Sequence, residues 1–169
     1  GWTVSTSQNL SAGANNNTEI SIDTGDLGKL TFWKKSGGDV VGAWDDMMPT
    51  ANEESWNGHT GTGNPGNSPV MSQGNADMFR YTVNVMEGLD FSASYSPSDG
   101  TFAIDSSSSM GVQYTGVEGL AVGIAQGDNN NQITVTNSPA TIGAGVEIEN
   151  TAMYVTYAFD SFTVGIQDN

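Results

Sequence analysis

The sequence contains no cysteine, a single histidine and only four basic residues against 19 acidic ones. Without cysteine, the chain can form neither disulfides nor cysteine-ligated metal sites. The net charge of −15 argues against nucleic acid and anionic lipid surfaces as partners, because both bind proteins through a surplus of Lys and Arg. The acidity is compatible with a secreted protein, a calcium-binding protein, a halophilic protein or a pore that favours cations.

Long apolar runs are also missing. No stretch of about 18 apolar residues is present, so the sequence predicts no transmembrane helix. Strands are then the only elements with which this chain can span a bilayer. Hydrophobic residues make up only 36% of the chain, yet they are spaced in regular alternation with small and polar residues. A barrel around water needs apolar side chains on its outer face alone, which matches this composition.

Alternation with a period of two is the clearest signal in the sequence. Phe79, Tyr81 and Val83, for example, alternate with Arg80 and Thr82. The pattern predicts nine strands, at about 1–10, 17–24, 28–35, 77–86, 90–97, 110–116, 119–126, 151–159 and 161–168. Short turns alternate with long polar connections at 11–16, 36–76, 98–109 and 127–150. Such alternation is typical of an antiparallel up-and-down meander with tight turns at one rim and extended loops at the other.

Hairpin units repeat along the chain. The segment MEGLDFSASY at 86–95 is similar to VEGLAVGI at 117–124, and FDSFTVG at 159–165 is a shorter version of the same unit. These units, together with GDLGKLTF at 25–32, resemble those of Gram-negative general porins, especially the alphaproteobacterial type. The resemblance spans nearly the whole chain and implies an all-β fold, an antiparallel up-and-down transmembrane β-barrel.

Porins of this kind have about sixteen strands, so the resemblance implies that the nine strands are a partial chain of a larger barrel. Residues 1–169 would then form one barrel unit with a long inward-folding constriction loop at 36–76. The implied function is passive diffusion of small hydrophilic solutes and ions across the bacterial outer membrane. Outer-membrane lipid and two further copies in a homotrimer are the implied partners.

The connection at 36–76 is the longest in the chain, and connections of that length are usually functional or disordered. All four bases of the chain lie in the two strands that flank it, and by strand parity Lys29, Lys35 and Arg80 share the polar face. The segment 42–49 is expected to form a short helical turn, with Trp44 and the methionines packing on the wall.

In porins the comparable loop narrows the channel, and its acids face bases on the wall. The resemblance therefore implies a constriction with acids on the loop and bases on the wall. The acids would be Asp39, Asp45, Asp46, Glu53 and Glu54, opposite the bases Lys35 and Arg80. Charged constrictions set ion selectivity, so we expect the pore to prefer cations.

Catalysis finds little support, because His59 stands alone in a Gly-, Asn- and Thr-rich stretch and no nucleophile, phosphate-loop or zinc-protease motif is present. We expect no enzyme and no cofactor. The oxygen-rich run 128–131 and the acidic loop leave a loop-bound Ca²⁺ open. The alternative function is an acidic secreted or cell-surface all-β structural or adhesion protein, since a β-sandwich produces the same alternation.

Overall fold

A computed structural model describes residues 1–11, 14–34, 38–44, 47, 77–97, 106–129 and 148–168. Within these ranges, nine strands form one antiparallel sheet in which each strand pairs with the next along the chain. The strands are β1 (Thr3–Ser11), β2 (Ala14–Asp23), β3 (Lys29–Trp33), β4 (Met78–Met86), β5 (Leu89–Ser96), β6 (Ser107–Tyr114), β7 (Leu120–Asn129), β8 (Ile148–Phe159) and β9 (Phe162–Asp168). The predicted all-β up-and-down meander is confirmed.

Helical structure is minor in the described residues. A single 3-10 turn, Gly25–Leu27, connects β2 to β3. The described part of the chain contains no helix that is long and apolar enough to cross a membrane.

The connections are short at one rim of the sheet, where they span 24–28, 87–88, 115–119 and 160–161. At the other rim, the long connections at 34–77, 97–106 and 130–147 follow the prediction. The predicted long connection at 11–16 is wrong, because β1 extends to Ser11 and β2 begins at Ala14. Asparagine is depleted in strands, but the ladder continues through the pairs Leu10–Asn15 and Ser11–Ala14 and overrides that preference.

The repeated Glu-Gly-Leu unit has a conformational cause. Gly88 and Gly119 both adopt left-handed backbone angles, with φ of 74° and 78°. A Cβ atom at Gly88 would collide with the backbone of Gly116, and one at Gly119 would collide with the carbonyl oxygen of Ala158. Glycine is therefore required at both turns, which explains why the unit recurs at the short-turn rim.

In this sheet the small and polar side chains are buried and many large apolar side chains are exposed, which is the reverse of a soluble sheet. Ser94 and Ser109 are 5% and 4% exposed, whereas Ile124 and Val155 are 46% and 44% exposed. We call the first surface the polar face, which includes Ser21, Thr31, Thr82, Ser92, Ser94, Ser109, Ala125 and Ala152. We call the second the apolar face, which includes Val4, Ile20, Leu30, Phe79, Tyr81, Val112, Ile124, Val155 and Ile166.

The described residues form a single sheet whose apolar face is exposed, and among them no second sheet packs on that face as it would in a soluble sandwich. Such exposure is typical of transmembrane strands, whose apolar side chains meet lipid while small and polar side chains face the interior.

Aromatic side chains gather toward both ends of the apolar face. Tyr157, Phe159 and Phe162 stack in sequence at the short-turn rim, with ring centroids 6.0 and 5.7 Å apart. Toward the other rim, Phe32 and Phe79 lie with centroids 4.9 Å apart. Outer-membrane barrels carry girdles of aromatic residues at both interfaces of the bilayer. The two groups lie toward the two rims, where such girdles are expected.

The two faces predict a contrast between adjacent positions on β8. Val155→Arg places a charge in the middle of the apolar band and is expected to lower the free energy of unfolding in a bilayer by about 2–4 kcal/mol. Thr156→Arg, on the polar face beside Ala121 and Gly165, is expected to cost far less. Urea-dependent unfolding of the protein in lipid vesicles measures both. Equal losses for the two variants would contradict the assignment of the faces.

Candidate functional site

Residues 38–44 lie across the polar face of the sheet, and we call them the wall-packed segment. Val40, Val41 and Trp44 are 0%, 1% and 6% exposed. They form a buried hydrophobic cluster with residues of β7 and β8, namely Ala125, Ala152 and Tyr154, against which Met47 also packs. The predicted packing on the wall is confirmed for Trp44 and Met47. Half of the predicted helical turn at 42–49, including Met48, lies outside the described residues.

A socket of small residues receives the Trp44 ring. A Cβ atom at Gly111 would collide with this ring, and would also lie 2.9 Å from the Cβ of Ala125. Tyr154 contacts the ring edge to face, with centroids 6.1 Å apart and an interplanar angle of 75°. Gln113 holds Tyr154 in place by donating a hydrogen bond from Nε2 to its hydroxyl oxygen. The small side chains of β6, β7 and β8 thus shape the wall to fit one aromatic side chain.

Polar contacts hold the wall-packed segment along its length. The Val40 N–H donates to the Ser109 hydroxyl at 3.0 Å, and that hydroxyl lies 2.6 Å from the Ser94 hydroxyl. Further along, the Met47 N–H donates to Oε1 of Gln167 at 2.8 Å. The segment is therefore tied to β6, and Met47 just beyond it is tied to β9, in addition to the apolar contacts with β7 and β8.

The carboxylate of Asp39 organises the turn within the segment. Its Oδ1 accepts a hydrogen bond from the Gly42 N–H at 2.9 Å, and the Asp39 carbonyl oxygen accepts one from Ala43 at 3.2 Å. Trp44 completes the turn by donating to the Val41 carbonyl at 3.0 Å. Asp39 is only 2% exposed, so its carboxylate stabilises the backbone that presents Trp44 to the wall.

The structure brings together two of the predicted site residues. Arg80 lies on the polar face between Thr31 and Ser94, and its guanidinium donates to the Gly38 carbonyl at 3.4 Å. The charge of Asp39 acts on Arg80 electrostatically. Asp39 and Arg80 therefore both interact with other parts of the protein, in addition to the predicted effect of their charges on passing ions.

The remaining predicted site residues, and His59, lie outside the described residues. The site residues in question are Lys35, Asp45, Asp46, Glu53 and Glu54. The constriction formed by these side chains stays a prediction.

The two ends of the long connection meet at a neck. Lys34 and Asp77 form a salt bridge at 2.6 Å, and the Asp77 N–H donates to the Lys34 carbonyl at 3.2 Å. The side chains are 55% and 40% exposed, and exposed ion pairs contribute little to stability. The backbone contact is therefore the more important link, which continues the β3–β4 pairing by one step beyond Trp33 and Met78.

In the described ranges, no three His, Asp or Glu side chains lie close enough together to hold a metal ion. Residues 130 and 131 of the oxygen-rich run, like most of the acidic loop, lie outside those ranges. The loop-bound Ca²⁺ stays a prediction.

Comparison with known sequences identifies a family over nearly the whole chain. The family described as Gram-negative porin matches residues 1–167. No curated protein matches the chain. The match covers β1 to β8, all of β9 except Asp168, the wall-packed segment and the residues of its socket.

The contact between Ser109 and the wall-packed segment predicts a measurable loss of stability. Ser109→Ala leaves the buried N–H of Val40 without its acceptor, which is expected to lower the free energy of unfolding by about 1–3 kcal/mol. Ser92→Ala is the matched control, because the Ser92 hydroxyl contacts Thr82 on the wall at 3.2 Å and not the segment. Urea unfolding of both variants in lipid vesicles measures the difference, and equal effects would contradict the anchoring role.

Proposed function

Because the chain belongs to the Gram-negative porin family, we propose that it is a general diffusion pore that prefers cations, assembles as a homotrimer and is narrowed by its longest connection. Membership of this family places the protein in the bacterial outer membrane as a channel for small solutes. The preference for cations, the oligomeric state and the narrowing by residues 36–76 are the further content of the proposal.

The main support for the proposal is that the apolar face of the sheet is exposed while its polar face is covered. Apolar side chains such as Ile124 and Val155 are exposed, while the hydroxyls of Ser94 and Ser109 are covered. In hydrocarbon an open sheet edge is not tolerated, because every backbone polar group must find a partner. We therefore propose that the nine strands form part of the wall of a closed barrel, with residues 1–169 as one barrel unit and the polar face lining its water-filled interior.

Narrowing of the pore is supported by the position of the wall-packed segment. This segment occupies the polar face at β6, β7 and β8, where an open channel would otherwise hold water. Asp45 and Asp46 directly follow Trp44, whose ring is held in the socket. Trp44, the residue directly before these two acids in the sequence, is therefore anchored on the wall.

Preference for cations follows from the balance of charge in this region. The connection carries the acids Asp45, Asp46, Glu53 and Glu54, with Lys35 near its start. Arg80, the wall base that the prediction sets against these acids, is engaged by the Gly38 carbonyl and by the charge of Asp39. We propose that the remaining acids leave the constriction with a negative potential, which raises the local concentration of cations. Passive diffusion of this kind requires neither a cofactor nor a catalytic residue.

Neutralisation of the loop acids tests the charge argument. Asp45→Asn combined with Asp46→Asn is expected to shift the reversal potential in a KCl gradient toward zero, because the constriction loses negative charge. Planar bilayer recordings of the protein measure this shift. Glu87→Gln combined with Glu118→Gln removes the same charge from the turns at the opposite rim and serves as the matched control. An unchanged potential in the first variant, or equal shifts in both, would contradict the assigned constriction.

Assembly is tested separately. The detergent-extracted protein is expected to have the mass of three copies in native mass spectrometry, and to dissociate into single chains on heating. A single-chain mass under non-denaturing conditions, from protein that still conducts in bilayers, would contradict the trimer while leaving the pore intact.

A further inference from the structure

A recess of about 390 Å³ opens on the polar face where β2, β3 and β4 lie side by side. Charged residues of both signs line it, accompanied by an indole and a carboxamide. They are Glu19, Asp23, Lys29, Trp33, Arg80 and Asn84. The recess lies beside the wall-packed segment, whose contact with Arg80 forms its border. It is therefore a second feature of the interior wall, separate from the Trp44 socket.

The charges in the recess are placed by strand register. Asp23 stands directly opposite Lys29 in the β2–β3 ladder, and Lys29 stands opposite Thr82 in the β3–β4 ladder. Residues directly opposite each other share a face, so all three lie on the polar face. An acid and a base are thus fixed on adjacent strands, about 5 Å apart in the hydrogen-bonding direction.

These neighbouring charges do not neutralise each other by direct contact. Among the described residues, the ion pair with an N–O distance below 4.0 Å is the one between Lys34 and Asp77 at the neck. Neither Asp23 nor Lys29 forms such a pair. Asp23 accepts a hydrogen bond from the Gly25 N–H at 2.9 Å, which fixes the position of its carboxylate at the turn. Both groups are exposed to the interior, so a solute can reach them without breaking an existing ion pair.

The opposite end of the recess holds a second acid in a fixed orientation. Glu19 pairs with Trp33 across β2 and β3, and its Oε2 accepts a hydrogen bond from the indole N–H at 3.1 Å. Glu19 and Asp23 are on the same strand and the same face, separated by roughly 13 Å at about 3.3 Å per residue. Lys29 therefore stands at the Asp23 end of the recess, and acids stand at both ends.

A lining of this kind selects for solutes that carry both charges. A simple cation is attracted by the two acids but repelled by Lys29 and Arg80, and a simple anion meets the reverse. An uncharged solute gains no electrostatic energy and must compete with water for hydrogen bonds. A solute with separated charges gains from both signs at once, and the volume of the recess lies at the lower end of the usual range for small-molecule sites, roughly 300–1,000 Å³.

We propose that this recess is a binding site for small zwitterionic solutes of the amino-acid class on their way through the pore. The solute carboxylate contacts the Lys29 ammonium, and the solute ammonium contacts the carboxylate of Asp23 or Glu19. The proposal rests on the proposed function, because only a pore brings such solutes to this face. It goes beyond that function by naming a solute class and a site on the wall at β2 and β3, which adjoins the proposed constriction at Arg80.

Two isomeric solutes provide the test. Alanine is zwitterionic at neutral pH, whereas its constitutional isomer lactamide is uncharged, so the two differ in charge and hardly in size. Proteoliposomes that contain the protein swell at a rate set by entry of each solute. Asp23→Asn combined with Lys29→Gln removes one acid and one base, leaves the net charge unchanged, and is expected to lower the alanine-to-lactamide ratio of swelling rates roughly two- to five-fold.

The matched control is Lys34→Gln combined with Asp77→Asn, which removes the ion pair at the neck, outside the recess. Asparagine tolerates the left-handed backbone at position 77, where φ is 55°. This variant is expected to keep the wild-type ratio. Conductance of every variant in KCl is recorded beside the swelling rates and confirms that each one is folded and open.

The outcomes separate this proposal from the proposed function. A lowered ratio in the recess variant alone supports the binding site. An unchanged ratio in that variant, with normal KCl conductance, overturns the binding site and leaves the pore in place. An equal loss in the neck variant also overturns it, because the effect would not be local to the recess. Absence of KCl conductance in the folded wild-type protein overturns the pore itself, and the binding site with it.

Discussion

The pairing of backbone polar groups between neighbouring strands is the constraint on which the rest of this structure depends. A sheet in lipid has no water to satisfy its N–H and C=O groups, so each strand must stay in register with the next. Register then fixes which side chains share a face, because residues directly opposite each other point the same way. The exposed band around Ile124 and Val155, and the polar-face row through Thr31, Arg80, Ser94 and Ser109, both follow from that one condition.

Small side chains on the polar face serve two purposes. They leave room for water in the interior of a pore, and at Gly111, Ala125 and Ala152 they form the surface on which Trp44 packs. The wall-packed segment is held mainly by burial of Val40, Val41 and Trp44, with hydrogen bonds that satisfy its backbone at intervals. Apolar contacts are not screened by salt, whereas exposed ion pairs are. This segment is therefore held by forces that change little with the ionic strength of the solution that the pore carries.

Much of the fold was predictable because period-two alternation is a local property. The pattern at 79–85 and the glycine turns at 88 and 119 identified the strands of the confirmed meander and its short-turn rim. The prediction failed at 11–16, where local asparagine content indicated a loop and pairing with β1 produced strand instead. The packing of Trp44 was also predictable, since an indole in an acidic connection is seldom left in water. Its partners Gly111 and Tyr154 were not, because they lie far along the chain and belong to different strands.

By itself, the sequence determined the number of strands, the identity of the two faces and the excess of negative charge in the longest connection, since each depends on residue type and local spacing. Only the tertiary structure decided which residues meet across strands. It placed Arg80 against Gly38 and Asp39, Ser109 under Val40, and Asp23 opposite Lys29. The physical reason is that register between strands is set by the whole ladder of backbone hydrogen bonds, and a shift of one residue would move every one of these side chains to the other face.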